Sequence, residues 1–249
     1  MVKGGDSSIK KGFLLLLILL GLSGVGYSVV SIFNGMSGYY ESNKKYDAIR
    51  EIYYQQKGPA RQTNNLNKEL IALNDEYVGW ISIDDTRIDY PVVKTVNNDF
   101  YLTHNFYKEK DKTGSIFIDY RNSVDQLDKN TILYGHNMKD NSMFGSLSKF
   151  KDQSFFENHK NISFELFNDT YTWEIFSVYT DKDTDWLKTS FTTAEEFTKY
   201  IQIVRARSLI KVPAEVVYED TLLTLSTCTN VDEDERIIIH AKLIEKDGE

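Results

Sequence analysis

The chain has 249 residues, 41% of them hydrophobic and 13% aromatic, and carries a formal net charge of −8. That length and apolar content suit one domain with a real core and exclude a disordered stalk. The acidic balance, with no Lys/Arg cluster against it, argues against nucleic acid as a partner.

At the N-terminus, Lys3, Lys10 and Lys11 precede Gly12–Phe33, a run of 22 residues without a charge. At about 1.5 Å per residue, a helix of that length spans roughly 30 Å, the thickness of a bilayer core. A signal-peptide apolar core is shorter, about 7–15 residues. The run is therefore read as a single-pass transmembrane signal anchor. The small residues Ser23, Gly24 and Gly26 leave a cleaved signal peptide as the alternative. Lysines ahead of the run set the N-terminus in the cytoplasm and the body outside the cell membrane.

Beyond the anchor, Tyr39, Tyr46, Ile49 and Tyr53 recur at helical spacing among charged residues and predict an amphipathic helix over Tyr39–Gln55, ended by Gln56-Lys57-Gly58-Pro59. A second short helix is expected over Asn65–Asn74, with Leu66, Leu70 and Leu73 on one face. The pattern then changes to short β-type runs. These are Trp80–Ile83, Ile88–Val93, Ser115–Ile118, Thr131–Tyr134, Ile162–Leu166, Tyr171–Tyr179, Thr221–Thr227 and Arg236–Ile244. Asp84-Asp85 reads as a turn, and Asn168-Asp169 separates two runs at hairpin distance. One helix interrupts them, where Thr193-Ala194-Glu195-Glu196 has the form of a capping box and Phe197, Tyr200, Ile201 and Val204 make one apolar face. Many short strands with few helices predict a mainly β fold, a closed or nearly closed barrel. The expected division is 1–11 cytoplasmic, 12–33 anchor, 34–63 helical linker and 64–249 barrel domain.

The single cysteine, Cys228, lies in Thr224-Leu225-Ser226-Thr227-Cys228 at the end of a predicted strand. In an exported protein a lone thiol makes no internal disulfide, so it is a buried bystander, an intermolecular bridge or a reactive group. Strand ends at a barrel rim are rigid and reachable, which suits a nucleophile. A thiol with a pKa of about 8.5 needs a base or a positive group beside it. His136, in Leu133-Tyr134-Gly135-His136-Asn137-Met138, follows an apolar run, and Gly135 is expected to make a tight turn there. It is a candidate to take the thiol proton and return it to a leaving amine. Arg236 begins the strand after Cys228, beyond the acidic loop Val231–Glu235, and offers planar N–H donors to an oxyanion. The bland alternatives are a small buried cysteine, a structural histidine and a weak surface ion pair. His104 is expected to be structural, His159 to lie in a charged loop and His240 in an apolar strand. Asp234 and Glu235 are read as a solvated loop before a histidine-orienting pair. No two histidines have metal-ligand spacing, so neither a metal site nor a cofactor is expected.

Thr224-Leu225-Ser226-Thr227-Cys228 resembles the Thr-Leu-x-Thr-Cys signature of sortases, with His136 and Arg236 where that family has its essential histidine and arginine. Gly79–Ile83, Tyr90–Val93, Phe100–Leu102, Gly114–Asp119 and Tyr134–Met138 resemble class B of the family, as do the helices before the barrel and the helix at Thr193–Ser208. The resemblance implies an eight-stranded sortase barrel and a cysteine transpeptidase. Cys228 would attack a threonine carbonyl in the C-terminal sorting signal of a secreted protein. His136 would protonate the departing amine and Arg236 would hold the oxyanion. An amine of the cell-wall peptide or its lipid-linked precursor would release the thioacyl enzyme. Ser226, Thr227, Tyr134 and Asn137 are candidates to line the peptide groove. No calcium requirement is expected, although Asp232–Glu235 could hold a cation weakly. The competing functions are a hydrolytic cysteine peptidase and a non-enzymatic, anchored wall-binding module.

Overall fold

The computed structural model describes residues 5–56, 67–166, 169–228 and 235–246. Two compact units divide the chain at Lys44/Lys45. In the first, helix α1 (Gly5–Gln56) begins, and Lys11–Ser31 is long and apolar enough to cross a membrane. The amphipathic helix expected from Tyr39 is the continuation of this same helix. No proline occurs before Pro59, so nothing removes a backbone donor or forces a break over this stretch.

The second unit opens with the last turns of α1. Tyr46, Ile49 and Tyr53, one helical face, are all buried. The Tyr53 ring lies flat on Trp80, with centroids 3.8 Å apart and an interplanar angle of 4°. Its hydroxyl donates to Glu165 Oε2 at 2.9 Å. The Tyr46 hydroxyl donates to the Gly114 carbonyl at 2.7 Å. Such aromatic contacts contribute about 0.5–1.5 kcal/mol beyond area burial, and here they clamp the helix to the barrel wall. The expected end of this helix at Gly58-Pro59 lies outside the described residues. Helix α2 (Lys68–Leu73) is shorter than expected and buries Leu70, whereas Leu73 is exposed; Leu66 is outside the described set.

Eight strands close a barrel: β1 (Tyr77–Ser82), β2 (Asp89–Val93), β3 (Ile116–Ile118), β4 (Asn130–His136), β5 (Asn161–Leu166), β6 (Asp169–Asp181), β7 (Leu222–Cys228) and β8 (Arg236–Lys246). Their order around the barrel is β1-β2-β3-β4-β7-β8-β6-β5. The pairs β2/β3 and β4/β7 are parallel and the others antiparallel. Every predicted apolar run became a strand. Asp85 takes the left-handed conformation (φ 55°) in the β1–β2 turn, and the turn between β5 and β6 falls outside the described residues.

Helix α3 (Gln153–Asn158) and the 3-10 turn Gly145–Lys151 were not predicted. Asp152 caps α3 by accepting from the Ser154 and Phe155 amides. His159 follows as its C-cap, in the short connection to β5. Its ring stacks on Phe155 at 4.0 Å. Helix α4 (Ala194–Arg207) starts at Thr193, whose hydroxyl accepts from the Glu196 amide at 3.1 Å. The reciprocal arm of the expected capping box differs, because Glu196 accepts from the Thr192 amide at 2.9 Å. Phe197, Tyr200, Ile201 and Val204 are buried, as their spacing requires.

Candidate active site

Parallel pairing decides where the candidate residues meet. β4 and β7 run side by side in the same direction, and the register places His136 opposite Cys228 at their shared C-terminal end. Neighbouring strands lie about 4.8 Å apart, so adjacent partners have backbones within side-chain reach. β8 runs antiparallel to β7, with Ser226 opposite Ile238. Continuing that register brings the start of β8, at Arg236, to the end of β7. The Ile237 amide donates to Thr227 Oγ1 at 3.0 Å there. Two distant stretches of sequence, β4 and the successive strands β7 and β8, thus converge on one rim of the barrel. Cys228 is described through its backbone; its side chain, and residues 229–234 with the acidic Asp232, Glu233 and Asp234, lie outside the described residues.

His136 is the last residue of β4 and is buried. Its Nε2 lies 2.6 Å from the Leu102 carbonyl oxygen, in the 3-10 turn Phe100–Leu102. Gly135 is not in a turn, as expected, but inside β4. A Cβ there would lie 2.4 Å from Ile116 Cδ1 and 2.9 Å from the Phe144 ring, so glycine is needed for close packing beneath the histidine. The chain folds back after the strand, with Asn137 bridging Met143 and the Phe144 amide donating to the His136 carbonyl at 3.0 Å.

Arg236 is half-buried and is the β6/β8 partner of Asp181. Asp181 is engaged by Arg207 at 3.1 Å. Among the described residues the Arg236 guanidinium makes no ion pair, so its charge is available at the rim.

The four groove candidates divide. Asn137 is exposed beside His136. Ser226, Thr227 and Tyr134 are buried and bonded into the barrel. Thr227 Oγ1 serves the Ile237 amide, and the Tyr134 hydroxyl donates to Asp119 Oδ2 at 2.7 Å. Both faces of β7 are covered, so neither of two successive side chains reaches the surface.

Asp119, following β3, was not singled out by residue type. It is fully buried and accepts from Arg121 Nε at 2.8 Å, Arg121 Nη2 at 2.7 Å, the Arg121 amide at 2.9 Å and Tyr134. Burial opposes its charge, but the Arg121 side chain and amide and the Tyr134 hydroxyl outweigh it and hold the carboxyl below its usual range. Arg121 Nη1 also donates to the Leu187 carbonyl at 3.2 Å, tying the β6–α4 loop to this wall. Among the described residues, no group of three or more His, Cys, Asp or Glu side chains is gathered as a metal ion would need.

His240, as expected from its strand, is in the core. Its Nε2 lies 3.0 Å from the Tyr179 hydroxyl and its Nδ1 2.9 Å from Thr224 Oγ1, which donates to Asn130 Oδ1 at 2.8 Å. Asn130 Nδ2 in turn donates to the Lys188 carbonyl at 2.7 Å. His104, structural as expected, stacks on Phe100 at 4.1 Å, and its Nδ1 lies 2.9 Å from the Phe100 carbonyl.

The sequence pattern of the Sortase domain matches residues 81–244. Sortase B of Listeria monocytogenes is 44% identical over 182 residues, covering 72% of this chain and 74% of the relative. Sortase B of Staphylococcus aureus is 36% identical over 181 residues, covering 71% and 74%. Among solved structures, sortase B from B. anthracis in complex with AAEK1 superposes with a TM-score of 0.77 at 39% identity, covering 84% of this chain and 99% of the other. The Staphylococcus aureus sortase B–substrate complex gives 0.78 at 31% identity, covering 83% and 97%. With an eight-stranded barrel and a strand order that brings His136 to Cys228, the chain belongs to the sortase family and, within it, to class B.

Proposed function

We propose that this protein is a membrane-anchored cysteine transpeptidase that cuts the C-terminal sorting signal of secreted proteins after threonine and joins the new end to a cell-wall amine. The observation that carries the reading is the β4/β7 register, with His136 and Cys228 as partners at one end and Arg236 entering beside them. A thiol, an imidazole and a permanently charged guanidinium are the groups that acyl transfer requires.

In this reading the Cys228 thiolate attacks the threonine carbonyl carbon. Arg236 lies against the developing oxyanion with its planar donors, and His136 gives a proton to the departing amine as the C–N bond breaks. The acceptor amine then attacks the thioester, passes its proton to His136, and the C–S electron pair returns to sulfur. Asn137, exposed at the end of β4, contacts the bound peptide. The buried Asp119–Arg121–Tyr134 cluster holds the groove wall in shape. The apolar helix Lys11–Ser31 crosses the cell membrane with its N-terminus in the cytoplasm, which keeps the barrel at the outer face where clients and wall precursors meet. Such an acceptor, a peptidoglycan or lipid-linked amine, places the enzyme in a Gram-positive cell wall.

The S. aureus sortase B–substrate complex supports a peptide substrate of the sorting-signal type. The test is a screen of fluorogenic peptides of the Asn-Pro-x-Thr-Asn and Pro-x-Thr-Gly types, with and without an amine acceptor. Amine-dependent product from one of them is expected. Hydrolysis alone under saturating acceptor would give the peptidase reading instead, and binding without cleavage would give the wall-binding module.

A further inference from the structure

The partner of His136 has a consequence for which ring nitrogen works. A carbonyl oxygen only accepts, so the 2.6 Å contact to Leu102 requires a hydrogen on His136 Nε2. We infer that the Leu102 carbonyl is a positioning group that locks His136 as the Nε2–H tautomer, so that Nδ1 is the atom exchanging protons with the substrate and acceptor amines. The inference rests on His136 being the proton donor of the proposed reaction.

The carbonyl is held from several sides. On one flank the Ser115 amide donates to the Tyr101 carbonyl at 3.0 Å, and on the other the Asp111 amide donates to the Thr103 carbonyl at 2.9 Å. The Tyr101 hydroxyl accepts from Asn74 Nδ2 at 2.9 Å, which fixes the turn to the barrel base. Gly114 completes the device. It has φ +58°, and a Cβ there would lie 2.5 Å from the Tyr101 oxygen, 3.0 Å from the Leu102 oxygen and 3.0 Å from His136 Cδ2. Only a residue without a side chain lets the turn and the imidazole meet, and only glycine adopts that φ without strain. The Tyr46 hydroxyl anchors Gly114 through its carbonyl.

Before acylation the imidazolium carries hydrogens on both nitrogens. As the C–N bond breaks, the Nδ1 hydrogen moves to the leaving nitrogen, and the neutral ring keeps its Nε2 hydrogen on Leu102. In the second half-reaction Nδ1 takes the proton of the incoming amine while the N–C bond forms and the thiolate leaves. The ring never has to turn over between the two steps, because the same nitrogen serves both.

Two measurements test this on the full chain in detergent micelles. The first is nitrogen-15 NMR of the four histidines, with the His136 signals assigned by their loss in His136→Gln. The neutral ring is expected as the Nε2–H tautomer, and Nδ1–H would overturn the inference. The second replaces His136 by Nδ-methylhistidine, which blocks Nδ1 and leaves Nε2 as the only ring nitrogen able to gain or lose a proton. Turnover is expected to fall at least about 100-fold, the contribution of a positioned acid–base group, with peptide binding retained. Wild-type turnover in that variant would overturn it. Wild-type turnover in His136→Gln is a different failure, because it removes the proton-donor role itself and the inference with it, even with the tautomer as stated. As a check on the clamp, Gly114→Ala is expected to lower kcat more than it raises KM and to weaken the Nε2–H preference. An unaltered tautomer and kcat in a folded Gly114→Ala protein would remove the glycine from the account.

Discussion

His136 and Cys228 face each other across a parallel strand pair although 92 positions separate them in the chain. Antiparallel hairpins bring near neighbours together; a parallel pair needs a long crossover, and here that crossover carries β5, β6, α3 and α4. Substituting His136 by glutamine is therefore expected to act on chemistry far more than on peptide capture. Steady-state kinetics should show kcat lower by about 10²–10⁴, the usual contribution of a positioned acid–base group. The Leu102 carbonyl loses its donor in most rotamers, with a stability cost of about 1–3 kcal/mol readable in denaturant unfolding.

Arg236 makes no ion pair among the described residues, so its charge supports no structural partner there. Arg236→Lys keeps that charge and loses the planar fork. Turnover is expected to fall by at least about tenfold with the melting temperature unchanged within a degree or two, a stability change of well under about 1 kcal/mol. A melting temperature that falls sharply would mark the arginine as a structural group.

Asp119 gives a prediction with a definite sign. Its folded pKa lies below the unfolded value, so it contributes stability that is complete above about 3.9, the ordinary carboxylate pKa, and is lost as pH falls through the folded pKa. Asp119→Asn is expected to cost about 3 kcal/mol at neutral pH, since a buried carboxylate is removed from a bidentate arginine that can still reach solvent. Measured by urea unfolding, the gap between wild type and variant should hold constant from neutrality down to about pH 5 and narrow at more acidic pH, below the carboxylate's ordinary range. A gap that widens on acidification would contradict the assignment.

The core histidine titrates in the other window. Burial first, and the positive charge of Arg207 second, push His240 down to about 3. Its folded pKa is below the unfolded value of about 6.5, so the stability it contributes is complete above that value and drains as pH falls toward about 3. The His240 ring signals should stay those of a neutral imidazole at pH 5 while an exposed histidine titrates. Removing the group, as in His240→Phe, should flatten the pH dependence of stability between about pH 6.5 and 4 by up to about 1.4 kcal/mol per pH unit.

The β-type runs were legible because each alternates apolar and polar residues or is wholly apolar between turn residues, and all eight became strands within a few residues of their predicted ends. The strand pairing was not legible. Nothing in Asn130–His136 says that it pairs with Leu222–Cys228 in parallel, and that pairing builds the site. Gly135 was legible as a special position, but its reason is contact with Ile116 and Phe144 rather than a turn. Ser226 and Thr227 were read as groove residues, and both side chains are buried in β7. The partner of His136 is a backbone carbonyl at Leu102, for which side-chain chemistry carries no signal at all. Residues Phe144, Leu147 and Phe150 are spaced by three, a 3-10 period that could have revealed the turn Gly145–Lys151.

The central claim is that Cys228 carries the acyl group between two amines. Mass spectrometry of the intact full chain, mixed with a sorting peptide and then with an acceptor amine, tests it directly. The expected result is an adduct of the peptide's N-terminal part on wild type, mapped to Cys228 and discharged by the amine into a ligated product, with neither species from Cys228→Ala. Ligated product formed by Cys228→Ala at the wild-type rate would contradict the account.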